Sequence, residues 1–223
     1  MSARPSDMRV IELFPTPLWQ VDLEAAAAQR LNAKLRREID AMLSPRPPLP
    51  RGGSWQTEPV LHRHPGFAEL VDLVERTALG ALKFLALKHP RAKISGMWAN
   101  INPRGGQSTA HTHPNNFLSA VYYVQVPRGE GVIQFTDPRP QAEVMLPPVV
   151  GGNRFNGSLI SLDVLPGRLV MFPAWLRHKV PPNQGDEERI SIAVNLMLEH
   201  YVETASPPLW TGSAPVDPGS LKS

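Results

Sequence analysis

Apolar residues change their rhythm partway along the chain. Across residues 22–43, "DLEAAAAQRLNAKLRREIDAML" places alanines, leucines and an isoleucine on one face of a 3.6-residue repeat, which predicts an amphipathic helix. "SPRPPLPRGG", residues 44–53, ends that pattern, because proline removes backbone donors and glycine frees the chain. A second helical pattern opens near Pro65, with Phe67, Leu70, Val71, Val74, Ala78 and Leu82 in step, and stops at "KHP", residues 88–90. Beyond residue 92 the apolar segments become short, β-branched and aromatic: 93–101, 117–126, 131–135, 158–164, 168–173 and 189–198. Glycine, proline and asparagine separate them, as turns separate strands. Short strands at this spacing predict a sandwich or barrel. No βαβ alternation or internal repeat is present, which disfavours a doubly wound parallel sheet.

This pattern divides the chain into an N-terminal strand and helical flank over 1–92, a β core over 93–205, and a tail over 206–223 without periodicity. One structural domain holds all three, since 223 residues suffice for a single sizeable core. Proline supplies 25 residues, about twice the usual share, so many loops and strand ends are required. Zero cysteines exclude disulfides, thiolate metal ligands and a cysteine nucleophile. A net charge of +3 comes without a lysine or arginine block and without aromatics interleaved among bases, so nucleic acid is a poor partner. No apolar run reaches the roughly 18 residues a membrane helix needs. The opening "MSARPSDMRVIELFPTPLW" also lacks the apolar stretch of a signal peptide. The expected address is the cytoplasm.

Candidate chemistry centres on "STAHTHPNNFLSAVYYVQVP", residues 108–127. A strand sends residues i and i+2 to one side, so His111 and His113 point together if a strand end includes them. Two converging imidazoles chelate iron, zinc, copper or nickel; a pair of solvated loop residues is the plain alternative. "LVMFPAWLRHKVPPN" adds His178 after another strand, where a metal site draws its third ligand. Arg189 and Ser191 open the last strand in "ERISIAVN" and share a face. The guanidinium fork matches a carboxylate, although an ion pair with Glu187 or Glu188 would also account for Arg189. His62, His64, His89 and His200 lie away from this constellation. Trp55, Trp98, Trp175 and Phe172 read as core.

The order HxH, "VYYV", "IQFTDPR", "GRLVMFPAWLRH", "RISIAVN" resembles the Fe(II)/2-oxoglutarate-dependent oxygenases, and more narrowly a 2-oxoglutarate/Fe(II) oxygenase family of bacteria and phages. "LFPTPLW" from Leu13 to Trp19 and "WANI" from Trp98 to Ile101 extend the resemblance over most of residues 10–198. It implies a mainly β fold with flanking helices, built on a double-stranded β-helix, or cupin-like jelly roll. It implies Fe(II) on His111, His113 and His178, with 2-oxoglutarate as cosubstrate and O2 as oxidant. Arg189 would bind the distal carboxylate of 2-oxoglutarate, with Ser191 and Tyr123 beside it and Tyr122 turned away. Asn100 would meet cosubstrate or substrate. The implied activity is hydroxylation of a C–H bond in a small molecule, amino acid or peptide, forming succinate and CO2.

One position departs from the common HxD pattern. His113 stands where the aspartate is expected, so either three imidazoles hold the metal or a carboxylate arrives from elsewhere. Asp137, in "QFTDPRP", is the candidate carboxylate, with an Asp-Pro turn starter as its plain reading. Asp137 and Arg139 are also candidate substrate contacts. Two other readings stay open: a cupin-type metal dioxygenase independent of 2-oxoglutarate, and a non-catalytic binding module on the same fold. Helices flanking a barrel also offer a surface for a homodimer.

Overall fold

The computed structural model describes residues 8–129 and 131–201. The tail expected over 206–223 lies outside the described residues. In chain order the strands are β1 (Trp19–Asp22), β2 (Trp55–Gln56), β3 (Ala92–Asn102), β4 (Ser108–His111), β5 (Leu118–Gln125), β6 (Val132–Thr136), β7 (Leu159–Asp163), β8 (Arg168–Pro173), β9 (His178–Val180) and β10 (Arg189–Leu198). Helix α1 (Ala25–Met42) follows β1, and α2 (Ala68–Phe84) follows β2. A single 3-10 turn, Pro65–Phe67, leads into α2, with His64 Nδ1 accepting from the Gly66 N–H. That proline start is where the helical pattern was expected to open.

The strands form two antiparallel sheets. The larger runs β1-β8-β5-β10-β3-β2 and the smaller β4-β9-β6-β7. The two helices cover one face of the larger sheet. Leu31, Leu35 and Ile39 of α1, and Leu70, Val74 and Leu82 of α2, are buried with Ile190, Ile192, Val194 and Leu196 of β10. Each such side chain contributes about 1.5–3 kcal/mol on burial, and this layer is the main apolar core. The opposite face of the larger sheet meets the smaller sheet across a second apolar cluster, Tyr123, Ile133, Phe135, Val164, Val170, Phe172 and Leu176. Two facing antiparallel sheets with helices outside one of them make the expected jelly roll.

Strand alternation sorts β10 onto the two sides. Its even-numbered residues face the helices, while Arg189, Ser191, Ala193 and Asn195 face the space between the sheets. The same alternation turns Tyr122 outward, where its hydroxyl donates to Asn32 Oδ1 of α1 at 2.7 Å, and turns Tyr123 inward. Gly167 matters at this point. Its φ is +89°, and an added Cβ would lie 2.5 Å from Ala28 Cβ of α1, while its N–H donates to Tyr123 O at 2.8 Å. Only glycine lets the turn before β8 pass that close to the helix.

The long elements sit where the apolar pattern places them. Three strands escape it: β2 in the half that reads helical, and β4 and β9 in the β half. Each has four residues or fewer, too few to display an alternation. No described helix is long and apolar enough to cross a membrane.

Candidate metal centre

Two of the short strands carry the chemistry. His111 ends β4 and His178 opens β9, and the two are direct partners in the antiparallel register. His113 follows two residues later, its N–H donating to Ala174 O at 2.9 Å, which ties the loop to the turn between β8 and β9. The three rings meet: centroids are 4.8 Å apart for His111 and His113, 4.5 Å for His111 and His178, and 5.2 Å for His113 and His178. One ring nitrogen from each lies within 4.8 Å of the other two. They form the one group of three or more candidate metal ligands among the described residues.

Backbone carbonyls set two of the tautomers. His111 Nδ1 is 2.7 Å from Thr109 O, and His178 Nδ1 is 2.9 Å from Leu176 O. A carbonyl only accepts, so each Nδ1 carries the hydrogen and each Nε2 keeps a lone pair. The third ring has a side-chain partner instead. His113 Nδ1 lies 3.3 Å from the amide of Asn195, whose other end accepts from Ser119 Oγ at 2.8 Å. Burial pushes the pKa of His113 down to about 4, helped by the neighbouring His111. Burial likewise brings His178 down to about 4, against the opposing bond to Leu176 O. Both imidazoles are therefore neutral at pH 7 and present lone pairs, the state a divalent ion requires. Three nitrogen donors on neighbouring backbone fit a first-row metal.

Apolar rings wall this cluster. Phe172 sits edge-on to His178 at 4.7 Å, Phe135 lies 6.2 Å from it, and Trp98 is edge-on to His113 at 6.1 Å. Trp98 and Phe172 thus pack as expected, but against the histidines. Trp175 does not: it is 55% exposed, between buried Ala174 and Leu176 in the turn between β8 and β9.

The residues read as carboxylate binders share one sheet face. Asn100 on β3, Ser191 on β10 and Tyr123 on β5 are register partners in a single row across three strands. Arg189 is the next residue along that face of β10. It is 2% exposed, and its Nη2 donates to Pro181 O at 2.8 Å. Of the two acids considered as its ion-pair partners, Glu188 binds Arg36 and Arg46 instead. Tyr123 Oη is buried without a hydrogen-bond partner among the described residues; its pKa is raised by burial, against the pull of Arg189. A buried hydroxyl left unpaired is costly, and here it lies within the field of a buried cation. Asn100 Oδ1 accepts from Gln56 Nε2 at 2.7 Å.

Asp137 is not brought to the histidines. Both of its oxygens are engaged by Arg139, at 3.0 Å to Nε and 2.7 Å to Nη2, and its Oδ1 also accepts from the Arg139 N–H at 2.9 Å. Those hydrogen bonds hold its carboxyl below the usual range. The plain turn reading describes this geometry, and the candidate ligand group contains His113 instead. Asn195 is the contact that the sequence reading passes over, although it stands on the same period-2 face as Arg189 and Ser191 and so was available to it.

Residues 96–195 match a family described as "Putative 2OG-Fe(II) oxygenase". No curated protein sequence matches. Among solved structures, a prolyl-4-hydroxylase of Pseudomonas putida is 18% identical, with a TM-score of 0.56 over 82% of this chain and 93% of that one. HygX of Streptomyces hygroscopicus, solved with nickel and 2-oxoglutarate, is 12% identical, with a TM-score of 0.58 over 84% and 85%. The α-ketoglutarate-dependent epimerase SnoN from nogalamycin biosynthesis is 14% identical, with a TM-score of 0.58 over 82% and 78%. At these identities the structures establish the shared jelly roll. The sequence match spans the motif order from "GMWANI" to "RISIAVN" and encloses all three histidines. The stretch that carries the metal cluster, residues 96–195, is thus similar to the 2-oxoglutarate/Fe(II) oxygenase family.

Proposed function

We propose that the chain is an Fe(II)- and 2-oxoglutarate-dependent oxygenase that hydroxylates a C–H bond of a small molecule, amino acid or peptide, releasing succinate and CO2. The observation that carries this reading is the pairing of two features in the space between the sheets. A triad of imidazoles shares that space with a buried cation, Arg189, and with an unpartnered hydroxyl, Tyr123, and Ser191 on the same sheet face. A metal site alone needs no buried arginine; a dicarboxylate bound next to a metal does.

In this reading His111, His113 and His178 hold iron. Iron, with 2-oxoglutarate and O2, supplies the oxidising power when bound. The protein's residues do the rest. Thr109 O, Leu176 O and the Asn195 amide orient the three rings. Arg189 takes the distal carboxylate of 2-oxoglutarate as a charge-assisted pair, Tyr123 and Ser191 donate to it, and Asn100 lines the same row. Phe172, Phe135 and Trp98 keep water from the metal, which strengthens every polar contact inside. No general base is required of the chain, in keeping with the absence of a carboxylate beside the triad among the described residues.

The test is turnover without substrate. Purified chain loaded anaerobically with Fe(II) and then given oxygen should form succinate only when 2-oxoglutarate is present. Iron retained with no succinate would favour the cupin-type dioxygenase, which the all-imidazole donor set also suits. Failure to retain iron would favour the binding module.

A further inference from the structure

A cavity of about 490 Å³ opens at the end of β6, on the side of the small sheet that faces the larger one. Its inner wall is Phe135 and Leu176. Both belong to the metal cluster's surroundings: the Phe135 ring is 6.2 Å from His178, and the Leu176 carbonyl holds His178 Nδ1. Its outer wall comes from two segments apart in sequence, residues 10–18 before β1, and the β6–β7 connection through Phe155. The volume lies within the range of small-molecule sites, about 300–1,000 Å³.

Its lining is hydrocarbon with the charges cancelled. The four charged residues on the wall pair internally, Arg139 with Asp137 and Arg154 with Glu12. Arg154 also lies over the Phe155 ring at 5.0 Å. Nothing on the wall offers an ionic partner to a charged ligand, and a charge placed there without one would be penalised.

The apolar side chains, in contrast, are left in water. Ile11 is 79% exposed, Leu13 71% and Phe14 91%. Phe14 adopts a φ of +56°, a conformation that an aromatic residue rarely takes and that concentrates at ligand clamps. Hydrocarbon held in solvent around a concave space, on a strained backbone, gains free energy when a ligand covers it.

We infer that this cavity receives the substrate, and that the substrate is a neutral, chiefly apolar small molecule whose reacting carbon lies toward Phe135 and Leu176. The inference rests on the oxygenase reading for the identity of the neighbouring metal, but not for the cavity's ligand class. It narrows the substrate from the broad set above: a free amino acid, zwitterionic and small, matches neither the volume nor the cancelled charges.

The experiment uses the full chain and a neutral fluorescent probe, N-phenyl-1-naphthylamine. Its emission should rise on binding with about one equivalent per chain. Ile160→Asp and Leu13→Asp each put a charge on the wall at solvent-exposed positions, so the fold is expected to persist, with circular dichroism to check it. Each should weaken probe binding about tenfold or more, whereas Leu79→Asp, on α2, should leave it unchanged. Loading Co(II) should quench the bound probe, and His178→Ala should abolish the quenching without abolishing probe uptake. No uptake by the unmodified chain overturns the inference, as does uptake indifferent to Ile160→Asp and Leu13→Asp, or uptake that metal does not quench. The oxygenase reading fails separately: absent succinate with probe binding and quenching intact would leave the cavity standing beside a metal of different chemistry.

Discussion

The amide of Asn195 lies 3.3 Å from Nδ1 of His113, the ring that occupies the position of the usual aspartate. His111 and His178 have backbone carbonyls to fix their tautomers; His113 has only this side chain. With Nδ2 toward the ring, Asn195 donates to Nδ1 and leaves the hydrogen on Nε2. Turned by half a rotation, it offers Oδ1 to Nδ1–H and frees Nε2 as a ligand, while Ser119 bonds to the other end in either case. Metal binding should therefore select the turned amide. Asn195→Leu is expected to weaken Co(II) affinity about 10–100-fold, and Asn195→Asp, an obligate acceptor, to restore most of it. Double-mutant titrations with His113→Ala check the route: if Asn195 acts through His113, its effect disappears once the ring is gone.

His178→Ala should remove metal binding altogether. It is the most buried of the three rings and the start of a strand with only three residues. Equilibrium dialysis with Fe(II) under anaerobic conditions reads the loss directly, and the folded state is checked by thermal melting.

Arg189→Ala should leave metal affinity within about threefold while raising the 2-oxoglutarate needed for uncoupled succinate formation by about 100-fold or more, the scale of losing a buried charge partner. Equal requirement in variant and unmodified chain would place the carboxylate site elsewhere. Tyr123→Phe should shift the requirement in the same direction by a smaller factor, since it deletes only the hydroxyl.

Asp137→Ala separates the turn from the metal. Its carboxylate is held by Arg139, so metal content should be unchanged. The variant should instead leave Arg139 uncompensated on the wall of the apolar cavity, an effect seen as weaker uptake of a neutral probe and not as lost iron.

Acid should destabilise the metal-free chain in a defined window. His113 and His178 both titrate near pH 4 when folded, whereas a free imidazole does so at about 6.5. Between those values the unfolded chain binds protons that the folded chain refuses, so stability falls as pH is lowered from about 6.5 toward 4 and is level above about 7. Urea midpoints measured across that range test this, and His178→Leu should flatten the dependence.

The helices and the longest strands could be read from periodicity because they bury a continuous face: α1 and α2 against the larger sheet, and β10 with one set of alternate residues under the helices. The triad was legible as far as residue types and order reached, since an i, i+2 pair near a strand end converges whatever the sheet. What stayed hidden follows from length and from distance. β4 and β9 are too short to show a pattern, yet their register pairing is what sets His111 opposite His178. Asp137 could not be separated from a ligand without knowing that Arg139 occupies both of its oxygens. Trp175 reads as core by composition alone and stands in solvent because the turn sends its neighbours Ala174 and Leu176 inward instead.

Strand β10 is shared between two enterprises. One edge of its pleat, Ile190, Ile192, Val194 and Leu196, belongs to the helix layer; the other, Arg189, Ser191 and Asn195, belongs to the space between the sheets. Substitutions can therefore drift on either edge without disturbing the other, so that stability and specificity evolve as separable traits. An insertion or deletion of one residue within the strand has no such freedom. It would carry the arginine and asparagine into the oily layer under the helices and the isoleucines toward the metal, so the strand's length is the quantity that this molecule can least afford to vary.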